Sequence, residues 1–149
     1  MRARVIFSLL LMAGELQAPW FGTWKLNPVK STSNPESRFK RVTLKVAPWQ
    51  DELKVTYDMV GTRGGITHME WTGKFDGKDY PVQGVDYVLT NAYRRLDAQS
   101  YQIVIKVDGS VVATAKVVAS ADGKMLTTST VEKNARGESV TSTTVYERQ

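Results

Sequence analysis

The sequence predicts an all-β protein, an antiparallel up-and-down β-barrel of about ten strands. Three observations lead there. No long segment carries a strong 3.6-residue apolar period. Short runs of β-branched and aromatic residues recur along the chain, each bounded by a turn signal. Nearly all joins between runs are short, so neighbours in sequence should pair antiparallel. Such a meander leaves two raw edges, which closure into a barrel removes. Barrel diameter grows with strand number, so ten strands enclose more than a side-chain core. A two-sheet sandwich is the alternative use of the same strands.

The runs follow in order. Residues 20–26 form the first. Residues 39–46 form the second, turned by Pro48-Trp49-Gln50-Asp51. The third, 53–60, places Leu53, Val55, Tyr57 and Met59 on one face, by the two-residue period of a strand. Gly61-Thr62-Arg63-Gly64-Gly65 is a loop, and 66–75 follows to the hairpin signal Asp76-Gly77. Residues 78–82 are short, with Pro81 marking an edge or bend. Residues 86–96 lead into a turn at 97–100. Residues 101–107 alternate Tyr101, Ile103, Ile105 and Val107 before Asp108-Gly109. Residues 110–120 make a long Val/Ala strand ended by Asp122-Gly123. Thr-rich 125–133 turns at Asn134-Ala135-Arg136-Gly137 into the last strand, 138–148. The one longer join, 27–38, is rich in Ser, Asn and Pro. Pro28 and Pro35 argue against a proper helix there.

The first 18 residues read as an address. A basic start (Met1-Arg2-Ala3-Arg4) precedes the apolar run 5–13, Gly14 breaks it, and Ala18 is a small residue before a boundary. That is the layout of a secretory signal peptide. The run is too short to cross a bilayer, which takes about 20 apolar residues. A short buried N-terminal helix is the alternative. Cleavage after Ala18 would leave 131 of the 149 residues and remove Arg2, Arg4 and Glu15, so the charge would fall from +5 to +4. The expectation is one domain over 19–149, periplasmic or secreted, with no membrane span and monomeric.

Composition narrows the chemistry. There is no Cys and one His. A disulfide scaffold, a thiol nucleophile and a two-His metal site are therefore excluded. His68 and Glu70 share a strand face and could act as a general base, but no nucleophile is marked beside them. Gly61–Gly65 lacks the Lys-Ser/Thr of a phosphate-binding loop. Positive charge is spread over many strands, unlike a nucleic-acid surface. The expectation is no enzyme, no cofactor and no nucleic-acid partner.

Two segments at opposite ends carry a family likeness. Phe21-Gly22-Thr23-Trp24-Lys25-Leu26 resembles the opening G-x-W strand of the calycin superfamily, which holds lipocalins and fatty-acid-binding proteins. Residues 140–148 (VTSTTVYER) resemble the closing strand of fatty-acid-binding proteins. Asn27-Pro28-Val29-Lys30-Ser31 and residues 74–82 resemble small exported bacterial lipocalin-like proteins of uncharacterised role. The resemblance implies a barrel that holds a small hydrophobic or amphipathic, lipid-like molecule. It also implies a structural pair in which Arg148 lies across Trp24.

Tyr57, Met59, Trp71, Tyr80, Tyr87 and Tyr101 are the large side chains expected on a cavity wall. By the resemblance, Tyr146 matches the Tyr of the closing strand, while Thr144 stands where that strand's Arg would be. Lys116 falls at the family's other basic position, counted from Asp108-Gly109. Plain alternation instead puts Val111, Ala113, Ala115 and Val117 inside and Lys116 in water. Arg95 shares a face with Tyr93 and is either an internal cation or a snorkelling side chain beside Asp97. The function expected is ligand binding inside the barrel. The alternative is an envelope protein whose barrel is filled by side chains and which binds another protein through its surface.

Overall fold

The computed structural model describes residues 18–32 and 39–149. The expected signal segment, apart from Ala18, and Pro35 lie outside them. The strands are β1 (Gly22–Thr32), β2 (Phe39–Trp49), β3 (Glu52–Gly61), β4 (Ile66–Gly73) and β5 (Tyr80–Gln83). They continue as β6 (Leu89–Arg95), β7 (Ser100–Val107), β8 (Ser110–Ala119), β9 (Met125–Lys133) and β10 (Ser139–Arg148). Each pairs antiparallel with its neighbour in sequence, and β1 also pairs with β10, which closes the barrel. The described residues form an all-β, up-and-down barrel of ten strands.

Alternation places the core inside. Leu44, Val46, Leu53, Val55, Trp71, Tyr93, Tyr101, Ile103, Ala115, Val117 and Leu126 are all buried. Neighbouring strands put inward residues in rows. Trp24 of β1 lies opposite Leu44, Leu44 opposite Tyr57, and Tyr57 opposite Met69. Short turns hold the register. Asp108, for example, takes a positive φ of 50° before Gly109 in the β7–β8 turn.

Besides β2 running on to Trp49 through the expected turn and β4 ending at Gly73, three details depart from the sequence reading. First, β1 does not stop at Leu26 but runs to Thr32, through the first part of the expected long join. Its pairing with β10 skips between Asn27 and Thr32. The Asn27 side-chain oxygen accepts hydrogen bonds from the Val29 and Lys30 amides (3.0 and 3.1 Å), which satisfies the backbone of the excursion locally. Pro28 sits inside it, where no ladder N–H is needed. Second, β6 starts at Leu89 rather than 86. Third, Val111 does not face inward. A bulge lets Ile105 pair with Ala113 and Lys106 with Val111, so Val111 and Val112 both reach water.

Wall pairing is uneven. The β1–β2 ladder covers only Gly22–Lys25 against Thr43–Val46, after which the two strands diverge. β5 joins β4 and β6 by two residues on each side. Among the described residues, no helix is long and apolar enough to cross a membrane.

Candidate functional site

The barrel has two unlike halves. One half is filled with rings. Trp71 stacks on Tyr93 with centroids 4.0 Å apart, and Tyr93 stacks on Tyr101 at 5.4 Å. Trp20 meets Tyr101 edge-on at 5.4 Å, and Phe75 packs between Trp20 and the two tyrosines. Each such pair adds about 0.5–1.5 kcal/mol beyond area burial. Trp24 closes this end. Its Nε1 donates to the Trp20 carbonyl at 3.0 Å. The Arg148 guanidinium lies 4.3 Å over its ring and donates to the carbonyls of Pro19 (2.8 Å), Phe21 (2.7 Å) and Gly123 (2.6 Å). Gly22, at φ +141°, leaves room for that guanidinium, where a Cβ would collide with it.

The other half holds a cavity of about 760 Å³. Its apolar wall comes from Leu26, Pro28, Phe39, Val42, Met59 and Met69. Its polar wall comes from Tyr57, Tyr146, Ser31, Thr32, Thr130, Glu132, Ser142 and Thr144. The strand period explains the second set. Thr130 and Glu132 on β9, and Ser142, Thr144 and Tyr146 on β10, are every second residue of an inward face. At the rim, Ser31 Oγ accepts from the Val145 amide (2.9 Å) and donates to the Asn27 carbonyl (2.7 Å). Asn27 Nδ2 donates to Glu147 at 2.9 Å and Lys30 reaches the same oxygen at 3.5 Å. The Asn27 hydrogen bond, with Lys30 adding to it, holds the Glu147 carboxyl below its ordinary range.

Where the two halves meet, four tyrosines gather. Burial pushes the Tyr57 phenol up to about 12, with Tyr93 nearby offsetting part of the rise. Burial raises Tyr93, Tyr101 and Tyr146 as well, and the neighbouring phenols add to it. The Tyr93 hydroxyl lies near Tyr57 without a well-aligned hydrogen bond.

Of the expected ligand contacts, Tyr57, Met59 and Tyr146 line this cavity. The rest lie elsewhere. Trp71 and Tyr101 belong to the ring column, and Trp71 Nε1 donates to the carbonyls of Tyr80 and Asn91. Tyr80 packs edge-on against Trp71 and sends its hydroxyl to Asp76 at 2.6 Å. Tyr87 is half exposed in the loop before β6. Lys116 is exposed on the outer face of β8, because Ala115 and Val117 take the inner one. Arg95 stands at the ring-filled end, 5.2 Å over Trp20, beside a smaller pocket of about 290 Å³. Its Nε donates to the Asp97 carbonyl at 3.2 Å. Five of the eleven missed lining residues are Thr or Ser, which read as polar on either face and leave no apolar alternation to count.

Val29, Ile66, Tyr87, Val88, Val111, Val112 and Val131 are exposed and lie outside the cavity lining. His68 pairs not with Glu70 but with its cross-strand neighbour Asp58, at 2.6 Å, while Glu70 meets Lys54 at 3.1 Å. Among the described residues, no group of three or more His, Cys, Asp or Glu is gathered as a metal site would need.

Comparison with family models and with curated proteins gives no match.

Proposed function

We propose that this is an exported, calycin-like barrel that binds one small apolar or amphipathic molecule in its open half. The observation that carries the reading is the cavity of about 760 Å³, with an apolar wall and a cluster of hydroxyls on one side. Ligand pockets for small molecules fall at about 300–1,000 Å³ and combine an apolar lining with a few polar groups that fix orientation. A barrel filled by side chains throughout, acting only through its surface, would have no reason to keep such a void. The basic-apolar start of the chain supports export to the periplasm or beyond. The Trp24–Arg148 closure supports the calycin likeness.

Native mass spectrometry of the protein purified from its own source tests the reading. The expected result is a co-purifying lipid-like mass that is lost in Thr130→Phe, whose ring would occupy the cavity. A bare mass, together with no uptake of amphiphiles offered in solution, would overturn it.

A further inference from the structure

We propose that the cavity selects amphiphiles with an uncharged, hydrogen-bonding head group and turns carboxylates away. This deepens the reading of the cavity as a ligand site and rests on it. Among the described residues that line the cavity there is no Lys, Arg or His. The two cations that the sequence offered are out of reach, Lys116 on the outer face and Arg95 over Trp20 at the opposite end. What the wall offers is a set of hydroxyls from Tyr57, Tyr146, Thr130, Ser142 and Thr144. Each can donate and accept, which suits an alcohol, an ester or an amide.

An ionised carboxylate entering this space would lose its water, and the described lining residues hold no cation to replace it. Burial keeps the Tyr57 and Tyr146 hydroxyls protonated at neutral pH, so they remain donors. An ammonium head gains less than Glu132 first suggests, because Glu132 already interacts within the chain.

The test compares four probes with the same chain length: methyl laurate, monolauroylglycerol, laurate and dodecylamine, each titrated into the full protein at neutral pH. The two uncharged probes should bind about tenfold or more tighter than laurate, a gap of about 1.4 kcal/mol. Thr144→Arg (T144R) would put a guanidinium on the wall and should narrow or reverse that gap. A gap that T144R leaves unchanged would sever it from the missing cation and overturn the inference. Should T144R not fold, the wild-type comparison decides alone. Laurate binding as tightly as the esters overturns the selectivity and leaves the cavity standing as a ligand site. Dodecylamine binding tightest does the same. Binding of none of the four overturns the cavity reading, and the selectivity with it.

Discussion

The two halves of this barrel share the same ten strands but use their inner faces in opposite ways. Towards Trp24 and Trp20, the interior is a continuous stack of rings, and Arg148 ties three carbonyls together across the end. Towards Pro28 and Phe39, the interior faces are Thr, Ser, Met and Val, and they do not meet across the barrel. The difference teaches where stability and function live. A close-packed aromatic end fixes the cylinder, and that allows the other end to keep a void that packing alone would disfavour.

The largest effect should come from alkaline pH, because it acts where the halves join. An unfolded tyrosine titrates near pH 10. Tyr57 is held at about 12, and Tyr93, Tyr101 and Tyr146 are raised too, all chiefly by burial. As pH rises between the unfolded and the folded values, the unfolded chain has released protons that the folded one still holds. Stability is therefore intact below about pH 10 and falls as pH climbs beyond it. Absorbance of phenolate followed alongside circular dichroism checks this. Tyr57, at the cavity edge, should titrate near 12, while Tyr93 and Tyr101 should ionise only as the fold is lost. Ionisation of all four before any loss of ellipticity would mean that the ring column is wet.

Next in size is Trp24→Ala. Truncating a buried Trp costs about 3–5 kcal/mol, and this one also donates to Trp20 and carries Arg148. Met59→Ala, on the cavity wall, should cost about 2 kcal/mol, the bottom of the range for such a change. Met59 already faces empty space on one side, so fewer contacts are lost. Urea unfolding of the two variants compares the halves directly. Equal costs would remove the distinction between them.

The ring-filled half was the more legible one in the sequence. Gly22-Thr23-Trp24 and Arg148 announced the closure, and apolar alternation in 53–59 and 101–107 announced the faces. Strand number and order followed from turn signals, because Asp-Gly and Asn-x-x-Gly chemistry is local. The cavity half was harder to read for three physical reasons. Thr130, Ser142 and Thr144 are polar on the inward face while their strand neighbours Val131 and Val145 are apolar, so alternation did not point to the cavity there. Val111 looked like core, yet a one-residue bulge turned it out, and bulges depend on pairing rather than on composition. Trp71, Tyr80 and Tyr101 were expected on the same wall as Tyr57, because residues on one side of a sheet are not ordered along its axis by sequence alone. Height along the barrel separates them, and height comes from strand stagger.

The smallest effect should come from Lys116. The family likeness offered its ammonium to the interior and plain alternation put it in water; Ala115 and Val117 occupy the inner face and Lys116 points to water, as alternation had it. Lys116→Ala should therefore change stability by no more than about 0.5 kcal/mol, as surface substitutions do. It should also leave the affinity for every probe unchanged, including laurate. That second expectation is the sharper one. A cation even partly able to reach the cavity would draw a carboxylate, and its removal would weaken laurate and spare the esters. Equal affinities before and after removal would show that the wall alone sets the preference, with Thr144 rather than Lys116 as the position where charge could alter it.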